Sequence, residues 1–117
     1  MVRHIILLVA ACAALSGQAK DPAGDPLSRA YQALAARSYD EAIASFLIAL
    51  KASPGRAAVH KDLAYTYLKT GETEAARDQF AEAMRLDPGD YHAALEYGFL
   101  CHETGRTAEA RRVFDEI

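Results

Sequence analysis

Apolar residues recur every three or four positions in six blocks of this chain, each block closed by a glycine, a proline or a short polar break. That spacing puts the apolar side chains on one face of a helix. It predicts helices over about 26–36, 39–52, 57–69, 73–86, 91–103 and 107–117. The start signals are Asp25-Pro26, where Asp caps and Pro suits the first turn, and Ser38 followed by Glu41, the pattern of a capping box. The stop signals are of two kinds. Gly71 and Gly105 stand where a helix ends in a left-handed turn, and Ser53-Pro54 and Asp87-Pro88 end helices because the residue before Pro avoids helical angles. Strand signals are lacking, so the sequence predicts an all-α fold.

The blocks are not independent. Phe46, Phe80 and Phe114 stand 34 residues apart, and Ala42, Ala76 and Ala110 precede them by one helical turn at the same step. Pro54 and Pro88 follow the first two Phe residues at a constant distance. A fixed period at several residue types is an internal repeat, here a helix–turn–helix unit at about 23–56, 57–90 and 91–117. The small Ala lets two antiparallel helices approach, and the Phe fills the space one turn later. Each pair buries only one side of its helices, so it needs a neighbouring pair, and about three are required for stability.

These residues resemble the tetratricopeptide repeat, whose pattern is W-x2-L-G-x2-Y…A-x3-F…P. The middle unit is nearest, with Leu63-Ala64, Tyr67, Gly71, Ala76, Phe80, Ala83 and Pro88, and with His60 in the Trp slot. The third unit has Tyr97-Gly98, Cys101, Gly105, Ala110 and Phe114. The first departs from the pattern in its opening helix, where Arg29, Ala33 and Arg37 replace Leu, Tyr and the turn Gly, but it keeps Tyr39, Ala42, Phe46, Ala49 and Pro54. The resemblance spans nearly the whole chain after the first two dozen residues. It implies a right-handed superhelical stack of three helix pairs, an α-solenoid over residues 26–117, and a scaffold that binds proteins without catalysing a reaction.

The resemblance also implies a concave groove lined by the first helix of each pair. Tyr31, Tyr65 and Phe99 repeat there at the same step, flanked by Leu34, Leu68 and His102 on one side and by Leu27, Lys61 and Leu95 on the other. The expected peptide-binding groove is therefore Tyr31, Leu34, Lys61, Tyr65, Leu68, Leu95, Phe99 and His102, with Asp62, Lys69, Glu96 and Glu103 around it, taking an apolar or aromatic segment with affinity on the order of micromolar. The rings have a second reading, as padding between adjacent first helices. Some family members clamp an acidic C-terminus with basic residues. The comparable places here hold Leu27, Tyr31, Asp62, His92 and Glu96, so that ligand is not expected.

The chain opens with Arg3 and His4, an apolar run from Ile5 to Leu15 and then Ser16-Gly17-Gln18-Ala19. This is the order of a secretory signal, with cleavage expected after Ala19 and a linker over 20–25. The run is shorter than the roughly 20 residues of a membrane span. Val9-Ala10-Ala11-Cys12 also resembles a bacterial lipoprotein signal, which would leave a lipid on Cys12. Either form predicts an exported protein, periplasmic or secreted, with the membrane touched only through that segment. Formal net charge is −3 and would become −4 without Arg3. A mildly acidic chain with no basic cluster is a poor partner for nucleic acid.

Candidate chemistry is sparse. His92 and Glu96 share a helix face, but no HExxH or CxxC pattern accompanies them, so neither metal nor cofactor is expected. Cys101 reads as an interior thiol with no intrachain disulfide partner. Glu74, Arg77, Asp78, Glu82 and Arg85 read as one solvated convex face. No nucleophile–base arrangement is present, and the expectation is a non-enzyme. An uncapped last pair would expose Phe99, Phe114 and Ile117. That leaves open a truncated reading frame, a piece of a longer array, or a structural module that self-associates through its C-terminal end.

Overall fold

The computed structural model describes residues 21–117, so the expected signal segment and cleavage site lie outside the described residues. Six α-helices follow one another: α1 (Gly24–Ala35), α2 (Tyr39–Ala52), α3 (Ala57–Lys69), α4 (Thr73–Leu86), α5 (Tyr91–Glu103) and α6 (Thr107–Glu116). Among the described residues there is no strand. Helices pack as hairpins α1–α2, α3–α4 and α5–α6, and each hairpin leans on the next through α2 against α3 and α4 against α5.

The turn within each hairpin has one geometry. Gly71 and Gly105 take φ of 75° and 83°, and Arg37 takes 58° at the corresponding place. The residue after each donates its N–H back to the carbonyl of Ala33, Tyr67 or Cys101, at 2.8, 3.0 and 2.7 Å. These are Schellman closures, in which a left-handed residue lets the chain reverse while satisfying the last carbonyls. They correct the expected capping box. Ser38 makes no side-chain cap on α2, and its own N–H, which Glu41 would accept in a capping box, is spent on closing α1. Glu72 and Arg106 hold the same junction position, likewise without a side-chain cap.

The start of α1 is also corrected. The helix opens at Gly24, and the Asp21 carboxylate, not that of Asp25, accepts the Ala23 N–H at 3.0 Å. Asp25 lies inside the first turn, where negative charge suits the helix dipole. Asp21 also pairs with Arg56 at the head of α3, which ties the entry of the first hairpin to the second.

Two clusters form the core. The first gathers Ala30, Ala33, Ala42, Phe46, Leu50, Val59 and Leu63, and the second Ala64, Ala76, Phe80, Ala83, Ala93 and Leu100. Tyr67 packs against both. Ala42, Ala76 and Ala110 are all buried, with Phe46 and Phe80 fully enclosed one turn on. Phe114 is partly exposed, and its ring leans over Gly98, where a Cβ would meet Cε1 at 2.6 Å.

Arg77 departs from the solvated face expected of it. It is buried in α4, donating from Nη1 to Thr104 Oγ1 at 2.9 Å and from Nη2 to Asp78 Oδ1 at 3.1 Å. A buried guanidinium is tolerable only with such partners. Thr104 ends α5, so the side chain bridges the second and third hairpins. His60, in the Trp slot, is buried as well. Its Nε2–H donates to the Pro54 carbonyl at 2.8 Å, and Nδ1 meets the Gln79 side-chain amide at 2.7 Å.

Candidate peptide groove

The first helix of each hairpin presents one aromatic ring on the same face, and all three rings sit alike. Tyr31 meets Phe46, Tyr65 meets Phe80 and Phe99 meets Phe114 edge-on, with centroids 5.3, 5.0 and 5.2 Å apart. This is the arrangement that aromatic quadrupoles favour. The ring–ring contact lies within each hairpin, from first helix to second, while the Tyr31 hydroxyl also reaches the adjacent first helix at Asp62. Tyr31, Tyr65 and Phe99 nonetheless remain 43%, 38% and 57% exposed. Each ring is thus held at a steep angle against a Phe and remains partly open to solvent.

Between the first and second hairpins the surface dips into a cleft of about 240 Å³, lined by Tyr31, Leu34, Tyr39, Asp62, Tyr65, Thr66 and Lys69. The Tyr31 hydroxyl donates to Asp62, linking its two walls. Burial first, and then this hydrogen bond, push the Tyr31 phenol far above its ordinary range. Tyr65 is raised too, first by burial and then by Glu96. Both phenols are therefore neutral donors through the physiological range.

The eight groove residues read from sequence divide in this structure. Tyr31, Leu34 and Tyr65 come together in the cleft. Lys61 turns to Asp90, at 2.6 Å across the α3–α5 joint. That carboxylate also accepts the N–H groups of His92 and Ala93, capping α5. Lys61 holds Asp90 below the usual carboxylate range, and Asp90 raises Lys61 in return. Leu68 packs into the second core cluster. Leu95 and Phe99 are exposed on α5. His102 lines a separate cleft of about 250 Å³ with Thr107, Ala110, Arg111, Phe114 and Asp115. Tyr39 and Thr66 were missed as cleft residues. Tyr39 opens a second helix, and only the closure at Arg37 swings it beside Leu34.

Among the described residues no group of three or more His, Cys, Asp or Glu side chains is placed to hold a metal. No helix among them is long and apolar enough to cross a membrane.

The tetratricopeptide repeat family model matches residues 27–91 and again 61–117. The chain belongs to the tetratricopeptide repeat family. Repeats of this family mediate protein–protein contacts, and the fold is typically a non-enzymatic interaction module. No curated protein matches the sequence. Among solved structures, the second repeat domain of Spaghetti (RPAP3), bound to the HSP90 peptide SRMEEVD, is 24% identical with a TM-score of 0.70, over 86% of this chain and 93% of that one. MamA is 22% identical with a TM-score of 0.72, over 85% of this chain and 54% of that one. The Arabidopsis OM64 repeat domain is 19% identical with a TM-score of 0.67, over 81% and 78%. At such identities the likeness is one of fold.

Proposed function

We propose that this repeat domain is a non-enzymatic adaptor that holds an apolar or aromatic peptide segment on its first-helix face, across the cleft between Tyr31 and Tyr65 and on towards Phe99. The observation that carries this reading is the set of three rings, each held at a steep angle against a Phe and each partly open to solvent. A packed ring that stays partly exposed supplies contact area at little entropic cost. The Spaghetti domain holds a peptide with an acidic end, but this cleft carries Asp62, and Lys61 is engaged by Asp90. The ligand proposed here is therefore apolar rather than acidic.

The test is peptide-display selection followed by fluorescence polarisation with the selected peptides. The parent is set beside a Tyr31, Tyr65, Phe99 triple alanine variant shown to be folded, and beside Lys69→Glu, which spares every ring. Micromolar binding that the triple variant loses and Lys69→Glu alters, at unchanged melting for Lys69→Glu, supports the groove. Binding indifferent to both defeats it.

We further propose that the protein works in a bacterial envelope, exported by its first 19 residues or anchored through Cys12. The order of charge, apolar run and small residues supports this. Expression with the native N-terminus, followed by fractionation and mass analysis, tests it: a chain starting at Lys20 or a lipid on Cys12 is expected, and an intact cytoplasmic chain refutes it. A second contact surface is favoured by the cleft around His102, Arg111 and Phe114, which would take a helical partner at the α6 end.

A further inference from the structure

The outward face of α2 differs from those of its two counterparts. At corresponding positions, one repeat apart, Ala44 becomes Asp78 and Arg112, Leu47 becomes Ala81 and Asp115, and Ile48 becomes Glu82 and Glu116. On α4 and α6 those positions carry ion pairs, Arg85 with Glu82 and Arg112 with both Glu109 and Glu116. On α2 they are apolar and open to solvent, with Leu47 45% and Ile48 58% exposed. Ala44, Leu47, Ile48 and Ala52 fall on one side of the helix by their spacing, so the exposed residues form a stripe rather than scattered points. Two repeats of the same protein show what a solvated version of this face looks like, and α2 is not one.

From this we infer that a second copy of the chain packs on it, with the two α2 helices antiparallel about a two-fold axis. The charges at the ends of the stripe select that occupant. Glu41 lies near one end and Lys51 near the other, and neither belongs to an ion pair among the described residues. With an axis at the level of residue 46, a rise of about 1.5 Å per residue puts Glu41 and Lys51 about 7.5 Å to either side. Each Lys51 then faces Glu41 of the second copy, and each Ile48 faces the small Ala44. The patch is complementary to itself, as a two-fold interface must be. A lipid surface fits less well, because Asp40 and Glu41 rim the stripe and no basic cluster adjoins it. The interface lies on second helices and leaves the first-helix cleft of both copies free.

So small a surface gives a transient dimer, with a dissociation constant on the order of tens to hundreds of micromolar. Sedimentation velocity over a concentration series on the purified protein measures it. Glu41→Lys and Lys51→Glu, each alone, are expected to weaken dimerisation about tenfold or more through like-charge contact. The double variant regains it, and an equimolar mixture of the two single variants forms a heterodimer. Ile48→Glu abolishes it without lowering the melting temperature, since glutamate already fills that position in α4 and α6. A parent that stays monomeric at every concentration overturns the inference. So does self-association that ignores the charge exchange but yields to Arg111→Glu at the other end of the stack. Binding to phosphatidylcholine vesicles that Ile48→Glu removes, with no dimer, overturns it in favour of lipid.

Discussion

Arg37 carries a backbone strain that its two counterparts avoid, and replacing it measures that strain. It sits at φ 58° where the next two repeats have Gly71 and Gly105. A left-handed conformation costs a residue with a Cβ about 1–2 kcal/mol. Arg37→Gly removes that cost but gives the unfolded chain more freedom, an offset of about 0.4–1 kcal/mol. The Arg37 side chain is exposed and joins no ion pair among the described residues, so little else is lost. The net gain is about 0.5–1 kcal/mol. For a domain of this size that raises the melting temperature by about 2–8 °C. Gly71→Ala is the reverse experiment. A Cβ built there meets nothing within 4 Å, so its effect is conformational alone, a net loss of about 0.5–1 kcal/mol once the stiffer unfolded chain is counted. Urea and thermal unfolding followed by circular dichroism give both values. If Arg37→Gly lowers stability, or Gly71→Ala leaves it unchanged, the account of the three turns is wrong.

Gly98→Val should lose about 1–3 kcal/mol in urea unfolding, because its Cβ would lie 2.6 Å from Phe114 Cε1 and the ring must leave its place against Phe99. Thr104→Val removes the oxygen that accepts from buried Arg77 and should cost about 1–3 kcal/mol, whereas Thr104→Ser should cost much less. On the acid side, the Lys61 hydrogen bond holds Asp90 below its ordinary 3.8. The folded value is depressed, so its contribution is present above about pH 3.8 and is lost as pH falls through the lowered value. Asp90→Asn should flatten that limb of the stability profile. On the alkaline side Tyr97 is pushed up to about 12, by burial first and then by its hydrogen bond with Cys101. Its folded value is raised, so its contribution is full below about pH 10 and fades between about 10 and 12. Tyr97→Phe should reduce the alkaline slope in melting curves taken across that window.

The helices were legible because their punctuation is unambiguous. Glycine at 71 and 105 and proline at 54 and 88 restrict the backbone whatever packs around them, and the Ala–Phe step repeats the packing of one hairpin in the next. Capping was misread at Ser38 and Asp25 because a cap depends on where the helix begins and how the preceding turn closes: the Ser38 N–H is spent on Ala33, and α1 begins one residue before Asp25. Arg77 looked like a solvated residue because its partner Thr104 lies in another repeat. Half of the aromatic geometry was also hidden. Periodicity puts Tyr31, Tyr65 and Phe99 on one face, but it cannot say that each ring stands edge-on to a Phe of its own hairpin. The Lys61–Asp90 pair was hidden for the same reason, since Asp90 lies across the joint.

Among the described residues the most extensive helix–helix contacts run between helices that follow one another in sequence. No early segment waits for a late one, so there is no long loop to close before the core begins to form. A ribosome releasing this chain exposes α1 and α2, which can pair as a hairpin before α4 exists, and each later hairpin finds its docking surface already built. The order of synthesis and the order of assembly then coincide. Apolar faces between consecutive helices are covered in the sequence in which they appear, while the outward stripe of α2 stays open.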